Sequence, residues 1–351
     1  MKKICLINFL LIFLSFGIAH AQNISSETLF YPGSLVILPE DGRAVYFDAF
    51  AAAKREIRIE ICVLEDPLIL QSLMAALDRG VRVRVIVDNN KYNTLASEQI
   101  NLATYLTSAG GQLHLSNPIF PRSFPKVILI DDCYVIIGSA CLDSTTFMQY
   151  RDYVYVSNDV GIINYLAHLF ENDWHYSAPI GLSFPAFNPT PMITQRDLLI
   201  SPVNSQNRLV NFIQEACESI DLTTELLGNQ TLQSELAKAA TRGLRVRLIA
   251  PQIVNGATPE EQALQIASLD ILRAAGVQVH VTRPPESLRR PYMHARTAVS
   301  DRKKAYMGSM SLSPDSTSNN REVGLILDDN KFVTKIKRQF EIDFNFNSEN
   351  Y

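Results

Sequence analysis

Hydrophobic and polar positions along this chain switch between two periods. Short runs rich in Val and Ile fall near Ser34–Leu38, Glu56–Leu64, Val81–Val87, Gln112–Leu115, Lys126–Ile130, Tyr134–Ser139 and Tyr153–Val156, and predict strands. Several are apolar on both faces, as a sheet covered by helices requires. Helical spacing over Val45–Lys54, Leu68–Asp78, Leu95–Ser108 and Ile162–Trp174 predicts the covering helices. The first half thus reads β-α-β-α-β-α-β, then three strands and a closing helix. Ser177–Gln195 carries prolines at 179, 185, 189 and 191 with no sustained period, and predicts a linker.

The pattern then repeats. Gln71-Ser72-Leu73 through Arg79-Gly80-Val81-Arg82-Val83-Arg84-Val85 recurs as Gln233-Ser234-Glu235 through Arg242-Gly243-Leu244-Arg245-Val246-Arg247-Leu248. Ala109 to Leu115 recurs as Ala275 to Val281, and Phe170 and Trp174 match Phe340 and Phe344. The ordered matches predict an internal duplication. The expected fold is α/β, with two similar α/β/α halves, 24–176 and 196–351, packed about a pseudo-twofold axis. Arginines 82, 84, 245 and 247 alternate along strands and are expected on polar faces or paired with acids. His114 and His280 are matched strand residues and read as structural, as do His168 and His175 on or after the closing helix.

Candidate chemistry lies in a second repeated pattern. His294-Ala-Arg296, Asp301 and Gly308-Ser309 have the spacing of Phe124-Pro-Lys126, Asp131 and Gly138-Ser139. Thirteen positions past each Ser lies an acid preceded by arginine, Arg321-Glu322 and Arg151-Asp152. If the halves pack about their twofold, residues 124, 126, 139, 294, 296 and 309 line one pocket at the interface.

These segments, FPKVILIDDCYVIIGSAC and HARTAVSDRKKAYMGSMS, resemble the H-x-K-x4-D-x6-G-S-x-N motif of the phospholipase D superfamily, present twice in its two-half members. The resemblance covers essentially the whole chain after its first residues. It implies phosphoryl transfer without metal or cofactor: one histidine attacks phosphorus, and the other protonates the departing oxygen. Carried over by position, His294 is the catalytic histidine and Glu322 its expected orienting partner. Lys126, Arg296, Ser139 and Ser309 are expected to hold phosphate, with Asn320 a polar neighbour. Asp131 and Asp301 are expected to be structural.

The chain departs from the pattern at several places. Phe124 replaces the first-half histidine and can neither attack nor carry a proton. Arg296 replaces lysine but can grip phosphate bidentately. Cys141 and Ser311 stand where the family has asparagine, and Asp152 is expected to have no histidine to orient. The implied partner is a phosphodiester, expected to be a phospholipid headgroup, with transient contact to a membrane surface. The reading is of a hydrolase or phosphatidyl transferase with impaired activity; the alternatives are a catalytically dead headgroup-binding module and an exported nuclease. A monomer with an internal pseudo-dimer is expected.

Charge and the first residues complete the picture. A net charge of −4 and a pI near 5.9 give no basic footprint for nucleic acid. Met1-Lys2-Lys3, the apolar run Ile4–Ile18 and Ala19-His20-Ala21 read as a signal peptide over 1–21, so export to the periplasm or beyond is expected. Arg289 and Arg290 are candidates for the pocket rim. Cys62, Cys133, Cys141 and Cys217 are scattered through apolar segments and are expected to be buried free thiols; Cys133 and Cys141 are too far apart along an extended run to pair.

Overall fold

The computed structural model describes residues 29–90, 104–188, 195–282 and 290–348. The expected signal segment, Arg289, part of the linker and most of the helix expected over Leu95–Ser108 lie outside the described residues; 104–108 is helical.

Each half is built on one mixed sheet. In the first, the order across the sheet is Leu35–Leu38, Tyr150–Ser157, Tyr134–Gly138, Val127–Ile130, Glu56–Ile61, Arg82–Val87, Gln112–Leu115 and Ala178–Pro179. The second runs Leu198–Ser201, Glu322–Leu327, Lys304–Gly308, Thr297–Ser300, Ser219–Thr223, Arg245–Pro251 and Gln278–Thr282, the same order without the edge strand Ala178–Pro179. Three neighbouring strands are parallel in each half because helices return the chain between them; the remaining strands join antiparallel. The centre strands are buried along their whole length, as their two-sided apolar pattern requires. The arginines of the parallel strands pair with acids: Arg84 with Glu56 at 2.7 Å and with Glu171, Arg247 with Asp221 at 2.6 Å and with Glu341. His114 stacks on Trp174 and His280 on Phe344, each with ring centroids 3.8 Å apart, as packed structural histidines do. Two short helices not legible in the sequence, Ser144–Gln149 and Pro314–Ser318, precede the acid-bearing strands.

The halves interlock through reciprocal contacts. Tyr292-Met293 pairs in parallel with Tyr150-Arg151, and Ser123 bridges Arg321 in the same sense. The closing helix of each half supplies the aspartate for the other half's arginine. Arg151 meets Asp343 at 2.9 Å and Arg321 meets Asp173 at 3.0 Å, all four buried. Around these pairs the helix Val160–Tyr176 packs beside Leu198, Ile200, Val323 and Leu325 of the second sheet. The helix Asn330–Ser348 packs beside Leu35, Ile37 and Tyr153 of the first. A buried ion pair adds little net stability against an apolar pair, but it penalises any slip that leaves one charge alone. The arrangement therefore fixes the register between the halves.

The cysteines correct the sequence reading. Cys62 and Cys141 form a disulfide with a Cα–Cα distance of 6.0 Å, while Cys133 and Cys217 are free and exposed. Cys62 follows Glu56–Ile61 and Cys141 follows Tyr134–Gly138, and their loops meet where Leu64 bridges Leu142. A sequence separation of 79 left no local signal for that meeting. Reduction is expected to cost roughly 2–5 kcal/mol, the range for removing a native disulfide. Thermal unfolding with and without reductant checks this, and an unchanged midpoint would contradict it.

Candidate active site

The register between halves decides which acid meets which motif position. Because Met293 lies beside Arg151, the next residue, His294, falls beside Asp152; because Ser123 lies beside Arg321, Phe124 falls beside Glu322. His294 Nδ1 is accordingly 2.9 Å from Asp152 Oδ2 and 3.0 Å from Oδ1. The expectation that Glu322 orients His294 is overturned, as is the expectation that Asp152 has no histidine to serve. The acid comes from the opposite half, since the acid-bearing strand of each half runs beside the motif strand of the other.

A continuous polar chain surrounds this pair. The Ser139 hydroxyl donates to Asp152 Oδ1, and Lys126 Nζ donates to the Ser139 carbonyl. Arg296 donates to the His294 carbonyl, to the Glu225 carboxylate and, at 3.1 Å, to Ser311 Oγ. Glu225 Oε2 lies 3.8 Å from His294 Nε2, and its other oxygen accepts from Tyr292 at 2.9 Å. Phe124, Arg296, Ser309, Asn320 and Glu322 line one open pocket of about 90 Å³, together with Arg122 and Glu225. Lys126, Ser139 and His294 do not line it, against the expectation that all six motif residues would. Ser139 is committed to Asp152, and Ser309 exchanges hydrogen bonds with the Val323 backbone. Arg290 packs over Phe346, 5.9 Å from the ring centroid, away from the lining.

Other motif residues build the scaffold. Asp131 accepts from the backbone N–H groups of Lys54, Arg55 and Glu56, and Asp301 from those of Cys217, Glu218 and Ser219, each at 2.8–2.9 Å. Both hold a tight turn at φ near +54° and tie it to the start of the neighbouring strand. Glycine precedes the motif serines for a steric reason. A Cβ on Gly138 would lie 2.5 Å from the Tyr153 carbonyl oxygen, and one on Gly308 would lie 2.5 Å from Gly324 Cα.

Electrostatics separate the two acids. Burial would raise the Asp152 carboxyl, but His294, Lys126 and Arg296 outweigh it and hold the group below its usual pKa, so it is ionised. Burial and then the Arg296 charge push the His294 imidazole below its usual value. Neutral imidazole facing an ionised carboxylate places its proton on Nδ1 and leaves the Nε2 lone pair free. Burial and then Arg296 bring the Lys126 ammonium down to about 7. Glu322 goes the other way: burial lifts its carboxyl to about 7, against Asn320, Arg296, Ser316 and Lys126.

A carboxyl raised from its ordinary 4.5 to about 7 binds its proton more tightly folded than unfolded. Its contribution to stability is present below the lower value and lost as pH rises through the upper one. Glu322→Gln is therefore expected to raise the melting temperature more at pH ~8 than at pH ~5. A pH-independent difference would contradict the assignment.

The family model described as "Cardiolipin synthase, PLD-like domain" matches residues 46–174 and 209–344, one copy per half. The chain belongs to this phospholipase D-like family. It is similar to cardiolipin synthase B of Salmonella typhi, 27% identical over 343 residues covering 86% of this chain and 78% of that protein. A mouse mitochondrial cardiolipin hydrolase is 30% identical over 138 residues, 39% of this chain and 57% of that one. Among solved structures, the Haemophilus influenzae phosphatidylserine synthase superposes with a TM-score of 0.66 at 14% identity, covering 89% of this chain and 85% of that one. The Porphyromonas gingivalis polyphosphate kinase does so with a TM-score of 0.62 at 17% identity, covering 88% of this chain and 50% of that chain. At such identities these two show the fold alone.

Within this phospholipase D-like frame, Glu225 is a charged site residue absent from the sequence expectations, as are Arg122 and Tyr292. It follows the strand Ser219–Thr223, which reaches the motif only by pairing with Thr297–Ser300. Its repeat counterpart by strand register is Cys62, so comparing the halves gave no sign of an acid.

Proposed function

We propose that this protein is an exported enzyme that hydrolyses or exchanges the headgroup phosphodiester of phospholipids through His294. The Asp152–His294 hydrogen bond carries the reading, because it leaves Nε2 unprotonated next to Arg296, whose guanidinium donates to the His294 carbonyl. Nε2 attacks phosphorus, the headgroup alcohol leaves, and water or a second alcohol then takes the phosphoryl group from the histidine. Lys126 and Arg296 supply the positive charge that phosphate transfer requires, and Ser309 supplies a polar wall. Arg296 must turn from Glu225 toward substrate to do so. Phospholipid is favoured as substrate by the similarity to a cardiolipin synthase and a cardiolipin hydrolase. Activity below that of a two-histidine site is expected from Phe124.

The second reading, a headgroup-binding module, draws on Phe124 and on the Glu225 carboxylate already held by Arg296. The two separate in an assay on phosphatidylglycerol vesicles with glycerol as acceptor. Slow release or transfer of the headgroup is expected. Binding to the vesicles with no turnover across the pH range would overturn the enzymatic reading.

A further inference from the structure

Phe124 removes a histidine, but it leaves that histidine's acid in place. Glu322 lies across from residue 124 as Asp152 lies across from His294. The two acids are otherwise treated differently. Both Asp152 oxygens face the His294 ring, and Ser139 donates to one of them. Ser309, the counterpart of Ser139, instead turns to the Val323 carbonyl at 3.3 Å. Glu322 Oε1 accepts from Asn320 Nδ2 at 3.0 Å, and the Ser316 hydroxyl lies near the same carboxyl. Its Oε2 is buried and makes none among the described residues, and neither does Asn320 Oδ1.

A buried carboxylate oxygen without a donor is costly, and a proton on it removes most of that cost. The same side chain lines the pocket beside Phe124 and Arg296. It is also one methylene longer than its counterpart Asp152.

We propose that Glu322 is the proton carrier of this site, standing in for the missing histidine. The inference rests on the His294 route described above and supplies its second acid–base group. As Nε2 of His294 bonds to phosphorus, the P–O bond to the headgroup breaks and its electron pair goes to the leaving oxygen. That oxygen takes the Glu322 proton and departs as neutral alcohol, leaving a carboxylate. In the second step the carboxylate takes the proton of the incoming water or alcohol, whose oxygen bonds to phosphorus while the Nε2–P bond breaks and returns its pair to nitrogen. Arg296 and Lys126 face Glu322, and Arg122, Glu225 and Asp315 share the pocket, so the carboxylate formed is partly compensated by cations. Its pKa near 7 suits a group that must both give and take a proton.

Glu322→Gln keeps the shape and removes the proton. The test compares two phosphodiesters, one with an aliphatic alcohol as leaving group and one with p-nitrophenol, which departs without needing a proton. The expected loss in kcat is at least ~10²-fold greater for the alkyl ester, the lower end of what general acid catalysis contributes. The alkyl-ester rate of the wild type should also fall above pH about 7, a limb absent from the variant. Lys126 titrates in the same range and feels the Glu322 charge, so the profile of the p-nitrophenyl ester, which needs no acid, isolates the Lys126 limb. Equal losses for the two esters, or no loss, in a protein whose turnover His294→Ala abolishes, would overturn the proposal alone. Turnover of both esters that survives His294→Ala would overturn the histidine route and the proposal together.

Discussion

Asp152→Asn is expected to lower phosphodiester turnover by about 10²–10⁴-fold, and His294→Ala to remove the covalent route altogether. The effect turns on a tautomer. Asp152 is fully buried, held ionised by His294, Lys126 and Arg296, and within 3.0 Å of Nδ1 through both oxygens. It fixes the imidazole proton on Nδ1 and stabilises the charge that develops on the ring when Nε2 bonds to phosphorus. An asparagine can present its N–H to Nδ1 instead, which moves the ring proton to Nε2 and blocks the nucleophile without changing the shape of the site. Steady-state kinetics on a phosphodiester, with melting curves to confirm folding, check this. A small effect of Asp152→Asn would break the link between the halves on which the site depends.

The second large effect is a gain. Phe124→His is expected to raise turnover of alkyl phosphodiesters by up to about 10²-fold, part of the contribution a well-placed acid makes. Glu322 is already beside residue 124, with a buried oxygen free to accept from the introduced imidazole, and Asn320 holds the carboxyl in place. Forming that bond would ionise Glu322 and lower its pKa, so the stability penalty above pH about 7 should shrink in the same variant. Kinetics and melting temperatures against pH measure the two consequences on one protein. A variant with neither gain nor altered pH dependence would show that position 124 does not address Glu322.

Much of this architecture was legible in the sequence because it follows from local rules repeated twice. The two-sided apolar strands, the paired arginines at 84 and 247 and the turn aspartates 131 and 301 each act within one half, at fixed spacing. What escaped depends on contacts that spacing does not encode. Whether His294 meets Asp152 or Glu322 is set by which strand of one half lies beside which strand of the other. Both partners sit at matched positions of the repeat, so the duplication that revealed the fold could not choose between them. Glu225 reaches Arg296 across a sheet, and Cys62 reaches Cys141 across two loops, with nothing in the intervening chain to mark either meeting. The repeat did locate the decisive anomaly, Phe124, and only the packing showed that the acid it strands is Glu322.

The most direct test of the account is to quench the protein during turnover of a phosphodiester carrying a labelled phosphoryl group and map the label by mass spectrometry. An acid-labile phosphoryl adduct on the His294 imidazole, lost in His294→Ala and strongly reduced in Asp152→Asn, is the predicted result. Turnover with no adduct at His294, or with the adduct on another residue, would contradict it.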